Sequence, residues 1–290
     1  LTDRDENLFA PTAFSRAIDR RDPEGHFRAV DASRYRPPSA LEHTASGANF
    51  GGAAYARRSW YFHTPSLWRR GTVFNSDLDA GDLSRTESLR RVSSLAAADP
   101  SGAALFESVA LRFGIRYRDQ APLTGFSRFG GDALQEWDEN PAALPDTRLV
   151  SRWREASSAV EGLAMLARLG PGEVVLETGR AGQGQGPGGT VRVLERSQDR
   201  LSLATSTPGP GWLFVLRAFW TFRDVRVDGV RVVAFPAQLA FSAIPVPAGE
   251  HRIQWREEVP GIRFSWMGPS VFALAAVLSL ARRPARAEAA

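Results

Sequence analysis

From Glu173 onward apolar and polar residues alternate, and Gly, Pro, Asp or Asn breaks the alternation at short intervals. A period of two is the pattern of a strand with one buried face. It predicts strands at 173–177, 190–196, 200–205, 212–219, 224–227, 230–235, 239–246 and 251–256. Val227-Asp228-Gly229-Val230 predicts the tightest connection, because Asp-Gly suits the positive φ angles of a type I′ hairpin. This many short strands within 170–262 predict an antiparallel β-sandwich of jelly-roll type.

Before residue 170 the pattern is mixed, and it predicts a region of both helices and strands over 1–169, so the whole chain reads as α+β. Pro11–Arg21 predicts a short helix, ended by Asp22-Pro23-Glu24-Gly25, and 26–31 alternates like a strand. Residues 33–70, rich in Pro, Gly, Ser and aromatics, carry no steady period and read as a long loop region. Ser84-Arg85-Thr86-Glu87 and Ser158-Ala159-Val160-Glu161 are capping-box patterns that open helices to about Ala98 and Leu169. Asp99-Pro100 starts another helix, with Leu105, Val109 and Leu111–Phe113 as its apolar positions and Gly114 as its end. Ile115–Arg118 and Thr147–Arg152 read as strands.

The C-terminal end differs from both regions. Phe264–Ala281 is an 18-residue run without a charge. As a helix it spans about 27 Å, close to the bilayer core of about 30 Å. Arg282, Arg283 and Arg286 follow at once, which by the positive-inside rule places that end in the cytoplasm. The expectation is a membrane helix at 263–283, a cytoplasmic tail at 284–290, and an extracytoplasmic body before them. The lipid bilayer is then a partner.

Composition narrows the chemistry. The 290 residues contain no cysteine and no lysine, so all 36 basic residues are arginine. That excludes disulfide scaffolds, cysteine-ligated metals, Schiff bases and lysine general bases. The pI near 10.2 suggests nucleic acid, but 36 basic against 32 acidic residues leave only +4, with both signs interspersed, which argues against that partner. The chain starts on Leu1 without a basic-then-apolar leader, and is read as a piece of something longer.

No motif here predicts a cofactor or metal. Gly184-Gln185-Gly186-Pro187-Gly188-Gly189 matches G-x-G-x-x-G, yet a strand pattern follows it rather than a helix, and Pro187 lacks an amide donor, so it reads as a hairpin loop. His26, His43, His63 and His251 have no metal-ligand spacing. The pairs Asp138-Glu139 and Glu257-Glu258 are adjacent and point opposite ways on an extended chain, unlike two acids across a cleft. Arg57-Arg58, Arg69-Arg70 and Arg90-Arg91 read as solvated faces. Aromatics are the richer signal. Trp60, Trp68, Trp220 and Trp266 are the candidate contacts to sugar or to the membrane interface, and no catalytic residue is assigned.

Several segments together resemble the bacterial YfhO-like membrane proteins. They are Phe113–Tyr117, Glu139-Asn140-Pro141-Ala142-Ala143-Leu144-Pro145, Glu173–Glu177, Gly211-Trp212, Val227-Asp228-Gly229, Phe235–Phe241 and Val246-Pro247-Ala248-Gly249-Glu250-His251, in that order, followed by the apolar run. The resemblance covers about 105–281. It implies a polytopic protein allied to membrane glycosyltransferases that use lipid-phosphate sugars, with its catalytic acids in membrane-bundle loops N-terminal to this piece. The expected function is a non-catalytic extracytoplasmic C-terminal module that assists transfer of lipid-linked sugar to cell-envelope polymers. A tail-anchored carbohydrate-binding or adhesion module is the alternative. A hydrolase using acids such as Asp138 or Asp228 is a third reading, and it requires two carboxyls converging in one cleft.

Overall fold

The computed structural model describes residues 13–31 and 102–257, apart from 119, 134, 198 and 220–222. The expected helix at 84–98, the loop region at 33–70, the apolar run at 263–283 and the tail at 284–290 lie outside the described residues. Among the described residues no helix is long and apolar enough to cross a membrane. The fold is a β-rich α+β arrangement.

Helix α1 (Ala13–Arg21) buries Phe14, Ala17 and Ile18, the i, i+3, i+4 spacing of one helix face, and carries Arg20 and Arg21 in its last turn, where the macrodipole favours cations. The Asp22 carboxylate then accepts the amides of His26 (3.0 Å) and Phe27 (3.1 Å) and turns the chain into β1 (Arg28–Asp31). Helix α2 (Gly102–Ser108) ends sooner than expected. Ala110 takes a left-handed φ of 57°, and Leu111–Phe113 belong to strand β2 (Leu111–Tyr117), whose residues are almost all buried. Gly114 is therefore a strand residue rather than a helix end, and the Phe126 ring lies 3.6 Å from where its Cβ would stand. Strands β3 (Ser127–Gly131) and β4 (Gln135–Glu139) complete a four-stranded sheet in the order β1-β2-β4-β3. Its β1·β2 pair is parallel.

The expected strand 147–152 is two strands, β5 (Thr147–Leu149) and β6 (Arg152–Ala156). Helix α3 (Ala159–Leu166) follows with Ser158 as its N-cap, its side chain accepting from the Glu161 amide at 3.3 Å. The Glu161 carboxylate reaches back to the amide and hydroxyl of Ser157 instead of the Ser158 amide, a capping box displaced by one residue. Strand β7 (Glu173–Glu177) then pairs parallel to β6, which makes β6-α3-β7 a βαβ unit.

The remaining strands are β8 (Gly182–Gln185), β9 (Thr190–Arg196), β10 (Arg200–Thr207), β11 (Gly211–Val215), β12 (Arg223–Val227), β13 (Val230–Arg231), β14 (Phe235–Ala237), β15 (Phe241–Val246) and β16 (Gly249–Glu257). The strand expected at 230–235 is β13 and the start of β14. The one expected at 239–246 starts later, because Gln238 and Leu239 both hold positive φ. All pairs among strands after residue 170 are antiparallel. They form a five-stranded sheet, β13-β12-β16-β10-β9, and most of a seven-stranded sheet, β5-β11-β15-β14-β7-β6-β8. Strands from both sides of the expected division at 169/170 share the seven-stranded sheet.

Alternation explains how the layers pack. On β11 and β15, Leu213, Val215, Ile244 and Val246 meet Leu201, Leu203, Val225, Val227, Ile253 and Trp255 of the five-stranded sheet in one buried cluster. The intervening Phe214 and Ala243 point the other way, into a second cluster with Leu105, Phe106, Leu166 and Val175. The seven-stranded sheet is thus covered on both faces, and the outer face of the five-stranded sheet carries polar residues.

Candidate functional site

Trp60, Trp68, Trp220 and Trp266 lie outside the described residues, as do His43 and His63. Of the described tryptophans, Trp255 is buried, and Trp137, Trp153 and Trp212 are half-buried against the core clusters. Trp255 is buried between the sheets, and Trp212 meets Phe235 edge-on at 5.4 Å. The glycine run is not the expected hairpin loop: it forms β8, which pairs with β6, and a connection that crosses to β9 at the edge of the five-stranded sheet. A Cβ at Gly184 would overlap the Trp153 indole, and one at Gly186 would overlap the Val150 carbonyl, so these glycines permit close approach of backbone and ring. Among the described residues no group of acids and histidines is placed to hold a metal ion.

The acids of the hydrolase reading are separated in the fold. Asp138 on β4 is buried against Arg116, whose Nε donates to it at 2.6 Å, with Glu136 also paired to that guanidinium. Asp228 sits at the β12–β13 turn, where it and Gly229 hold φ of 50° and 83°, both positive as a type I′ turn requires. Its carboxylate accepts the Arg252 amide at 2.7 Å and meets His251 Nδ1 at 2.6 Å. The two acids stand on different sheets, Asp138 paired with Arg116 and Asp228 with His251.

The His251–Asp228 pair shifts both partners. The hydrogen bond from His251 holds the Asp228 carboxyl below its ordinary value, with the Arg252 amide adding to the effect. The bond to Asp228 raises His251. The raised histidine stabilises the turn below its unfolded value of about 6.5 and loses that effect as pH rises through its folded value. The depressed carboxyl contributes above about 3.8 and loses its effect as pH falls through its folded value. The turn is therefore held best at mildly acidic pH. In an NMR titration, Asp228→Asn is expected to move the His251 midpoint down toward about 6.5; an unchanged midpoint would contradict the assignment.

The segment Glu139–Pro145 is a structural joint. Asn140 is buried, donates its amide to the Arg112 carbonyl (2.7 Å), and accepts the Ala142 amide on its side chain (3.0 Å). It delivers Asp146 to a junction of all three sheets. The Asp146 carboxylate accepts Arg28 of β1 at 2.8 Å and a two-pronged contact from Arg196 of β9 at 2.7 and 2.9 Å. Strict alternation along β9 would turn Glu195 inward with Val191 and Val193. A register shift beside Leu194 instead pairs Glu195 with Ser202 and Arg196 with Leu201, turning the arginine inward. Next to Asp146, Arg148 is half-buried over the Phe214 ring at 4.4 Å and donates to the carbonyls of Pro145 and Ser108. Burial pushes it down to about 9, so it stays charged at neutral pH.

The candidate contact surface is the outer face of the five-stranded sheet. The register sets its rows: Arg231, Arg226, Gln254, Ser202 and Glu195 across all five strands, Asp224, Arg256 and Arg200 to one side, and Arg252, Ala204 and Arg192 to the other. Strand β10, between β16 and the edge strand β9, shows only Ser202, Ala204 and Ser206 beyond Arg200, so it forms a shallow trough between longer side chains. Beside it a cavity of about 180 Å³ is lined by Asp224, Arg226, Gln254 and Arg256. Asp224 binds Arg226 at 2.8 Å and Arg231 at 3.6 Å. Arg192, Arg252 and Arg256 are exposed and have no carboxylate at ion-pair distance among the described residues. Sequence reasoning missed this face because its arginines read as single polar positions of five different strands. The signal was present in their period of two: Arg252, Gln254 and Arg256 share one side of β16. No protein-family model, curated protein or solved structure matches this chain.

Proposed function

We propose that the chain is the extracytoplasmic C-terminal module of a YfhO-like membrane protein. It assists transfer of lipid-linked sugar to cell-envelope polymers by holding them near an active site elsewhere, and it is itself non-catalytic. In this reading the two facing sheets form a jelly-roll-like sandwich, a transmembrane helix follows at 263–283, and the tail at 284–290 lies in the cytoplasm. The observation that carries the reading is order. The resembling segments fall on β2, the end of β4 with the joint after it, β7, β11, the β12–β13 turn, β14 with the start of β15, and the β15–β16 connection, in one continuous body. Their physical roles support a scaffold: Asn140 closes a joint, Asp228-Gly229 makes a hairpin, and β7 and β11 supply core strands. Residues 1–262 expressed alone are expected to be soluble and to transfer no sugar from a lipid-linked donor. Turnover by that piece would contradict the proposal.

A further inference from the structure

We propose that the outer face of the five-stranded sheet binds an extended polyanion, a polymer carrying phosphate or carboxylate groups, laid along β10. The inference deepens the module reading above by naming the class of polymer, and it rests on that reading only for the polymer's cellular source.

Charge carries the argument first. The outward positions hold Arg192, Arg200, Arg226, Arg231, Arg252 and Arg256 against Glu195, Asp224 and Glu250, six cations to three anions. Asp224 is engaged with Arg226 and Arg231, which leaves Arg192, Arg252 and Arg256 for a ligand. Arginine presents a planar fork that meets phosphate or carboxylate with two parallel bonds. Shape comes second. Arg192 and Arg252 are both paired with Ala204, on opposite sides of β10, so their strands lie about 10 Å apart with a small residue between them. Arg252 and Arg256 are about 13 Å apart along β16. A single extended chain fits such a trough and meets one arginine after another. The third observation is an unmet polar group. Ser202 is only 7% exposed, and its Oγ has no hydrogen-bond partner among the described residues, although it faces outward between Gln254 and Glu195. The Oγ is itself buried, so a ligand hydroxyl or anionic oxygen in the trough satisfies it only once a neighbouring side chain swings aside.

The same face argues against two other anionic partners. Its paired outward positions contain no aromatic side chain on which bases could stack, the usual platform for single-stranded nucleic acid. They contain no large apolar side chain to enter a lipid surface, and the exposed Leu194 at the register shift of β9 is a lone residue beside them rather than an apolar face.

The test is an anisotropy titration of the full chain in non-ionic detergent with fluorescein-labelled linear polyphosphate and, separately, polygalacturonate. The two arms distinguish phosphate from carboxylate. Saturable binding to at least one is expected, weakening about 20-fold between about 50 and about 200 mM salt if three anionic groups are engaged. Arg192→Gln, Arg252→Gln and Arg256→Gln combined are expected to weaken it at least about tenfold and flatten the salt dependence. A charge-matched control, Arg20→Gln, Arg168→Gln and Arg180→Gln combined, is expected to leave it unchanged. Four results would overturn the site: no saturable binding to either polymer, a sheet-face variant that binds as tightly as the parent, tighter binding to oligothymidine, or binding to phosphatidylglycerol vesicles alone. Failure of the module reading is separable. A face that binds polymer but lies in the cytoplasm keeps the site and removes the extracytoplasmic role, whereas an external face that binds none does the reverse.

Discussion

Asp146→Ala is expected to destabilise the protein by about 3 kcal/mol, at the lower end of what removing one partner of a buried ion pair costs. The Asp146 side chain is 2% exposed, while Arg28 and Arg196 remain 20% and 26% exposed, which softens the penalty. The loss is large because one carboxylate joins three sheets. Arg28 comes from the four-stranded sheet and Arg196 from the five-stranded one, while Asp146 itself leads into β5 at the edge of the seven-stranded one. Its backbone is tied in as well, the amide donating to the His26 carbonyl at 2.9 Å and the carbonyl accepting the Leu216 amide at 2.7 Å. Asp199→Ala is the contrasting case. Asp199 is 65% exposed and lies 3.5 Å from Arg200, so its loss is expected to leave stability nearly unchanged. Urea midpoints followed by tryptophan fluorescence compare the two, and equal small effects would show that Asp146 does not hold the sheets together.

Trp255→Ala is expected to cost about 3–5 kcal/mol, the range for emptying a fully buried aromatic site. Trp255 is 1% exposed and fills the space between the two larger sheets. Its Nε1 donates to Glu257 at 2.9 Å, and the Arg223 guanidinium stacks 4.7 Å from its ring. Arg223 is itself buried, its Nη1 donating to Ser242 Oγ at 2.6 Å, and burial pushes it down to about 10, so it is a cation at neutral pH. Truncating the indole therefore leaves a cavity and also strips a buried cation of the nearer of its two aromatic rings, Phe219 lying at 6.0 Å. Trp255→Phe keeps a ring there and is expected to recover more than half of the loss. A cost below about 1 kcal/mol for Trp255→Ala would mean that the sheets close over the gap.

The elements legible in the sequence are those whose pattern is local. β7 and β9 match their expected bounds, β7 as a short apolar run closed by Glu at each end and β9 as an alternating run between Gly189 and Ser197. The capping pattern at Ser158–Glu161 marked α3. Strands held by distant partners were not legible. β4 reads Gln-Glu-Trp-Asp-Glu, a polar run that forms a half-buried strand only because Arg116, 22 positions earlier than Asp138, neutralises two of its acids. β6 reads Arg-Trp-Arg-Glu-Ala and gains its place from parallel pairing with β7 across α3. Leu111–Phe113 continued a helical spacing, and the break came from the backbone at Ala110. The Asp146 junction was beyond local reading for the same reason. Its partners lie 118 and 50 positions away, and the shift beside Leu194 that turns Arg196 inward leaves no mark on the alternation. The candidate tryptophans lie outside the described residues, so the contact face rests on arginines that the sequence presented one at a time.

Sidedness is the central claim, and these 290 residues carry no cysteine, so a single introduced thiol, read against the unsubstituted parent gene, reports on it directly. Ser206→Cys places a thiol on the exposed outer face of β10, and Glu288→Cys places one after the apolar run. Each is introduced singly into the chromosomal gene, and intact cells are treated with a membrane-impermeant maleimide. The account predicts labelling of position 206 in intact cells and of position 288 only after the membrane is opened. Labelling of 288 but not 206 in intact cells, or equal labelling of both, would contradict it.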